Sequence, residues 1–174
     1  MPNWEHTTLS FLDVTDEEFR AIVEQYCHKY VDVDDWCLDF EKLIPMPETV
    51  YRGDLSTEDR REKYPGDLNW HDWSINHWGT KWNAHDGWVD FKTHQMGFDT
   101  AWCYAEPPIK VLAERTNARI DVYSINEDYM CGSIWQSFYP ASPEQDARVE
   151  EGMLEYGTDE FYKAARNRGR LIVD

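Results

Sequence analysis

The chain has 174 residues, the length of one ordinary domain, and no run of 18 apolar residues that could cross a membrane. Its 34 acidic and 17 basic residues give a net charge of −17, which disfavours direct binding to nucleic acid and to anionic membranes. The four cysteines have neither C-x-x-C nor zinc-finger spacing and are predicted to be reduced and packed as small hydrophobes. The N-terminal residues lack the pattern of a signal peptide, so a cytoplasmic protein is expected.

The first third of the chain predicts a strand, a helix and a second strand. Residues 4–12 are rich in threonine and aromatic side chains, which favours a strand. Thr15 and Glu18 have the spacing of a capping box, and the apolar stripe that follows predicts a helix to about Tyr30. An acidic crossing covers residues 31–39, and residues 40–44 are predicted to form the second strand.

The middle of the chain predicts a polar excursion, a tryptophan-rich helix and a hairpin. One helical turn is expected near residues 57–63, and a helix over 70–78 is predicted to end at Gly79. Alternating apolar residues then predict strands over 88–92 and 98–104.

The last third predicts a helix over 107–115, opened by two prolines, and strands over 118–125 and 130–138. Two further helices are predicted, over 144–156 and 159–168.

This element order predicts an α+β fold. A helix follows the first strand and another follows the strand at 98–104, which is the split β-α-β order of ferredoxin-like domains: a mostly antiparallel sheet with helices on one face. The chain is expected to be one domain, with a core over 1–140, a tryptophan-rich insertion over 48–87 and a helical tail over 141–174. Ten side chains are predicted to be buried: Trp4, Phe11, Phe19, Ile22, Leu43, Trp82, Trp102, Leu112, Ile120 and Val122.

Five segments carry a family resemblance: MPNW at 1–4, FEKLIPMPE at 40–48, WGTKWNA at 78–84, FDTAW at 98–102 and PP at 107–108. As an ordered set they resemble the YubB-like ferredoxin-like family of plasmid- and phage-encoded proteins. The resemblance spans residues 1–125 and implies a ferredoxin-like fold and carriage on mobile genetic elements. It implies no reaction and no catalytic residues.

The densest group of titratable side chains lies within residues 71–99, which contain four of the six histidines. His71 and His77 are six residues apart and therefore face different sides of a helix, so neither a metal nor another cofactor is predicted. The chain has no nucleophile elbow and no phosphate loop, so no catalytic residue is predicted. A small-ligand or metal-dependent enzyme using this segment is the alternative. A small pocket is also considered, lined by Lys81, Asn83, Asp99 and Thr100.

Two groups of carboxylates form the candidate partner-binding surface, one around the first helix and its exit and one on the predicted tail helix. They are Asp13, Asp16, Glu17, Glu18, Asp32, Asp34, Asp35 and Asp39, and Glu144, Asp146, Glu150, Glu151 and Glu155. Carboxylates arranged like phosphates would fit the basic nucleic-acid-binding cleft of a host protein. Together with the carriage on mobile elements that the resemblance implies, this charge predicts a non-enzymatic plasmid or phage protein that binds a host protein through its acidic surface and inhibits a defence nuclease, such as a CRISPR or restriction effector, by DNA mimicry.

A second alternative is an RNA- or DNA-binding ferredoxin-like module, because aromatic side chains on such sheets can stack bases. The basic side chains offer little for this interpretation. They cluster only at Arg166, Arg168 and Arg170 near the C-terminus.

Overall fold

A computed structural model describes residues 3–127, 133–155, 157–159 and 161–162 of the chain. These residues form eight strands, five α-helices and a 3₁₀ turn at Gly66–Leu68. In chain order the elements are β1 (Trp4–Leu12), α1 (Asp16–Tyr26), β2 (Cys27–Lys29), β3 (Trp36–Leu38), α2 (Phe40–Leu43), α3 (Thr57–Glu62), α4 (Trp70–Trp78), β4 (His85–Asp90), β5 (Gln95–Ala101), α5 (Glu106–Thr116), β6 (Arg119–Asn126), β7 (Ile134–Tyr139) and β8 (Arg148–Met153). Among the described helices none is long and apolar enough to cross a membrane.

Six of the strands form one sheet in the order β4-β5-β1-β6-β7-β8, and each neighbouring pair is antiparallel. The other two, β2 and β3, form a separate hairpin. The chain between β1 and β4 contains α1, and the chain between β5 and β6 contains α5. In both cases the two strands run parallel with one strand between them. The fold is therefore α+β with a mostly antiparallel sheet, as the sequence predicts.

The hydrophobic core lies between the helices and one face of the sheet. Side chains alternate between the two faces of a strand, so Leu9 and Phe11 of β1 lie on the same face as Val122 and Ile120 of β6. These four are at most 2% exposed and share one cluster with apolar residues of α1, α2, α4 and α5. Burying a large apolar side chain contributes roughly 1.5–3 kcal/mol. This layer therefore fixes which sheet face the helices cover.

Seven of the ten predicted core residues are buried, and three are not. Trp4 is half-buried, whereas Trp82 and Trp102 are 37% and 47% exposed. The burial prediction is therefore wrong for these two tryptophans, which lie at the end of the sheet rather than under the helices.

Between α1 and α2 the structure differs from the sequence prediction. The first helix ends at Tyr26, so the end of the predicted helix forms β2 and the acidic crossing contains only the loop and β3 of the β2–β3 hairpin. Residues 40–43 form a short helix rather than a strand, because the Asp39 carboxylate accepts a hydrogen bond from the Glu41 amide and caps it. Gly87 lets the hairpin approach β4, since a Cβ there would lie 2.6 Å from the Cα of Cys37.

The predicted tail helix over 144–156 is also wrong, because Arg148–Met153 is an edge strand paired with β7. Its adjacent Glu150 and Glu151 lie on opposite faces of the strand, and the indole of Trp135 fills the space above Gly152, where a Cβ would lie 2.6 Å from its Nε1. Most of the helix predicted over 159–168, together with Cys131 and the three C-terminal arginines, lies outside the described residues.

A buried carboxylate lies on the helix-covered face near the start of β1. Glu5 is 3% exposed and accepts hydrogen bonds from the Ser124 hydroxyl at 2.7 Å and the Asn126 amide at 3.2 Å. Burial raises the pKa of Glu5, and these hydrogen bonds offset part of that increase.

The raised pKa of Glu5 predicts a pH-dependent loss of stability. The native state holds this proton more tightly than the unfolded state, so the stabilising contribution is complete below the unfolded pKa of about 4.3. It is lost as the pH rises toward the folded pKa. We therefore expect wild type to lose stability relative to Glu5→Gln as the pH rises above about 4. Urea unfolding of both proteins measures this, and a stability difference that is constant with pH would refute the expectation.

Candidate functional site

Much of the first carboxylate group gathers at one end of the sheet, beside the turn at residues 91–94 between β4 and β5. Asp16 at the start of α1 is 2.8 Å from the Nε2 of His94 in this turn. Asp35, next to the β2–β3 loop, accepts a hydrogen bond from the amide of Val89 at 2.9 Å. The start of α1 therefore contacts the β4–β5 turn, and the β2–β3 loop contacts β4 two residues before that turn. We name the exposed carboxylates of these two segments the acidic end: Asp13, Asp16, Glu17, Glu18, Asp32 and Asp34.

Some carboxylates of the acidic end have hydrogen-bond or ion-pair partners, and others have none among the described residues. Asp13, Glu17 and Asp32 have no hydrogen-bond or ion-pair partner in the part of the chain that the structure describes. Asp34 forms an ion pair with Lys29 at 2.6 Å, which lowers its pKa, and Glu18 accepts the Thr15 amide at 2.8 Å in the predicted capping box. Three charges are thus uncompensated locally.

Two members of the predicted group have structural roles instead. Asp35 is half-buried and accepts the amides of Trp36 and Val89. Asp39 lies near the opposite end of the hairpin, where it caps α2 and accepts a hydrogen bond from the Asn83 amide at 2.7 Å. Neither carboxylate is free to meet a partner.

Apolar side chains project from the same loop as Asp32 and Asp34. Val31 is 97% exposed and Val33 is 58% exposed, and the four residues alternate apolar and acidic. Exposed apolar side chains grouped with charges are typical of contact surfaces. The loop therefore offers a protein partner both charge and apolar area.

The second carboxylate group lies at the other edge of the sheet. Five strand spacings of about 4.8 Å separate β4 from β8, or roughly 24 Å. Glu151 accepts a hydrogen bond from Gln136 at 2.7 Å, and Glu150 pairs with Arg148 at 3.2 Å. The remaining members are exposed in the segments before and after β8: Glu144, Asp146 and Glu155. The structure therefore does not join the two predicted groups into one patch.

The four residues of the predicted pocket do not surround one cavity. Asn83 accepts the Phe40 amide at 2.8 Å, and Asp99 pairs with His6 on the neighbouring strand. Thr100 is fully buried and donates to the carbonyl of Cys103. Lys81 alone faces an open cleft, of about 690 Å³, whose lining residues are Arg52, Gly53, Asp54, Leu55, Arg60, Trp70, His71 and Lys81. Sequence spacing could not reveal this cleft, because its residues come from four separate segments.

Lys81 is surrounded by indole rings. Its ammonium lies 4.5 Å from the ring centroid of Trp82, 5.1 Å from that of Trp102 and 6.0 Å from that of Trp70. Within the described ranges no carboxylate lies within 4.0 Å of this ammonium. Cation–π contacts at exposed sites contribute about 0.5–1 kcal/mol each. We name these four side chains the tryptophan–lysine surface.

The backbone at Trp102 has an unusual conformation for a bulky residue. Its φ is +67°, in the left-handed region that costs an L-residue roughly 1–2 kcal/mol. The Trp102 amide donates to the Asn3 carbonyl at 2.8 Å, and Thr80 and Thr100 donate to the carbonyls of Ala101 and Cys103. These bonds hold a strained turn whose effect is to project an exposed indole. Strain of this kind concentrates at functional sites.

Glycine at position 102 is expected to relieve this strain. We predict that Trp102→Gly is more stable than Trp102→Ala by about 1 kcal/mol, because glycine adopts positive φ without steric cost. Urea unfolding of the two variants measures the difference. The matched pair at Trp82, whose φ is not positive, should show the opposite order, since glycine there only adds entropy to the unfolded chain. A Trp102→Gly variant less stable than Trp102→Ala would show that the turn is unstrained.

The histidines of residues 71–99 each contact a different carboxylate. His71 contacts Asp72, His77 contacts Asp67, and His94 contacts Asp16. Over the described ranges no three His, Cys, Asp or Glu side chains are placed to hold a metal ion.

The three described cysteines lie in two environments. Cys27 and Cys37 are buried, and burial raises their pKa values to about 12 and about 11. Cys103 is exposed, so the prediction that all the cysteines pack as small hydrophobes is wrong for this one.

Comparison with protein-family models, with curated proteins and with solved structures gives no match for this chain.

Proposed function

We propose that this chain is a non-catalytic protein of a mobile genetic element that binds the basic nucleic-acid-binding cleft of a host protein through its acidic end. The observation that carries the proposal is the placement of the start of α1 and of the β2–β3 loop beside the β4–β5 hairpin, with Asp13, Glu17 and Asp32 unpaired among the described residues. A defence nuclease, such as a CRISPR or restriction effector, is the class of partner proposed. The mobile-element origin rests on the five segments that resemble the YubB-like family, and the strand order β4-β5-β1-β6 supports a ferredoxin-like core.

Unpaired exposed carboxylates suit this role physically. A positively charged cleft focuses its own electric field, which attracts exposed carboxylates and raises the rate of encounter. This attraction weakens as the salt concentration rises. The exposed Val31 and Val33 supply apolar contacts that charge alone lacks. Such a protein would occupy the cleft of a nuclease without offering it a phosphodiester bond.

The nucleic-acid-binding alternative has one observation in its favour. The sheet face away from the helices carries aromatic rings, among them Trp4, Trp88, Tyr123 and Trp135. The same face also carries four carboxylates, which repel phosphates: Asp90, Asp99, Asp121 and Glu150. In addition, Leu154 and Phe161 form a buried cluster against Tyr123 and Trp135. We therefore favour the protein-binding proposal.

Capture from a bacterial lysate tests this proposal. A protein with a nucleic-acid-binding cleft should be retained at about 50 mM salt and largely lost at about 200 mM. The triple variant Asp13→Asn, Glu17→Gln, Asp32→Asn should retain much less of it at either concentration. Equal capture by wild type and this variant, or capture insensitive to salt, would rule out the acidic end as the docking site.

A further inference from the structure

The tryptophan–lysine surface lies at the opposite end of the sheet from the acidic end. It adjoins the first residues of β1 and the last of β5, where Trp4 contacts Trp82 with ring centroids 6.2 Å apart. The acidic end adjoins the last residues of β1 and the first of β5. The two surfaces are therefore separate, and an inference about one does not depend on the other.

Exposed indoles beside an unpaired ammonium are unusual in a chain with this charge. Carboxylates outnumber cations by two to one, yet Lys81 lies against three indole rings and no carboxylate within the described ranges. Trp102 keeps 47% of its surface exposed with the lysine in place. A planar ligand can therefore stack on Trp102 while its anionic group meets the ammonium.

The adjoining cleft adds two guanidinium groups to the ammonium of Lys81. Arg52 donates to the carbonyl of Met46 at 2.8 Å and pairs with Glu41 at 3.2 Å, and the Nε of Arg60 lies 3.4 Å from Asp72, so each guanidinium already has one carboxylate partner. These contacts position both guanidinium groups in the cleft wall, and the imidazole of His71 lies beside Arg60 at 3.3 Å. Among the eight lining residues Asp54 alone is acidic. A guanidinium presents donors in a geometry that suits phosphate oxygens.

We propose that the tryptophan–lysine surface and the adjoining cleft together bind a nucleotide. The base stacks on Trp102, and Lys81, Arg60 and Arg52 hold the phosphate. Stacking explains the exposed indole and its strained backbone, and phosphate binding explains the cations. The cleft volume of about 690 Å³ falls in the range of small-ligand sites. A free nucleotide is favoured over a nucleic-acid strand, because each added phosphate is repelled by a protein of net charge −17.

Titration of the tryptophan fluorescence with AMP tests the proposal. We expect a dissociation constant below about 1 mM, corresponding to about −4 kcal/mol. Adenosine lacks the phosphate and ribose 5-phosphate lacks the base, so both should bind at least about tenfold more weakly. Lys81→Gln and Trp102→Ala should each weaken AMP binding by about tenfold. The matched controls Lys92→Gln and Ile75→Ala alter exposed side chains outside the cleft and should leave it unchanged.

Three outcomes of the AMP titrations would overturn the proposal. These are no AMP binding at millimolar concentration, equal binding of AMP and adenosine, and unchanged AMP binding in both Lys81→Gln and Trp102→Ala. A pentanucleotide that binds more tightly than AMP would also contradict it and indicate strand binding. Urea unfolding of each variant checks that a loss of AMP binding does not come from a loss of folding. Trp102 is exposed and Lys81 is half-buried, so we expect both variants to fold. A negative result in these titrations would not count against the proposed role of the acidic end, because no carboxylate of that end is altered.

Discussion

Neutralising four carboxylates of the acidic end is expected to slow association with the captured partner by about tenfold or more at low salt. The variant carries Asp13→Asn, Glu17→Gln, Asp32→Asn and Asp34→Asn. Distributed surface charges steer diffusional encounter and raise association rates by about 10–10³, whereas dissociation depends mainly on short-range contacts. Biolayer interferometry at about 50 and about 200 mM salt measures both rates.

The matched control removes the same number of charges elsewhere. It changes four exposed glutamates outside the acidic end to glutamine: Glu48, Glu58, Glu62 and Glu114. Both variants have the same net charge, so steering by net charge alone would slow both equally. We expect the control to associate at close to the wild-type rate. Equal slowing of the two variants would show that no particular end of the molecule is used.

Replacing Phe98 by alanine is expected to destabilise the protein by about 3–5 kcal/mol, a large share of a typical domain's stability. Phe98 is 1% exposed and packs edge-to-face on Phe40, with ring centroids 5.6 Å apart. Its ring joins β5 to α2, so its removal leaves a cavity where the sheet meets the helices. Urea unfolding measures the loss. Val31→Ala, at a 97% exposed site, should change stability by less than about 0.5 kcal/mol. A loss below about 1 kcal/mol for Phe98→Ala would mean that this junction is not part of the core.

Local signals in the sequence predicted α1, α3, α4, α5 and the central strands, but neither α2 nor β8. The capping box at Thr15 and Glu18 begins α1, and Gly79 ends α4 in the left-handed conformation, with φ of +77°. Such signals depend on residues a few positions apart, so the sequence carries them completely. The α+β class follows from the order of these elements.

Burial and edge strands could not be predicted in the same way. An indole is large and apolar whether it packs in the core or projects from the end of a strand, so residue type misplaced Trp82 and Trp102. The glutamate-rich β8 resembles a solvated helix in sequence, because what makes it a strand is its pairing with β7, which lies across a loop and leaves no local signal. The cleft was missed because Arg52, Trp70 and Lys81 come together only in three dimensions.

We propose that the acidic end binds in the cleft in which the host protein holds nucleic acid. Fluorescence anisotropy of a labelled DNA duplex bound to the purified partner tests it, with this chain added as competitor. We predict that the chain releases the duplex, that release requires more chain as salt rises from about 50 to about 200 mM, and that the four-carboxylate variant competes far less well. A duplex that stays bound while the chain binds the same partner would contradict the claim, because the two would then occupy different surfaces.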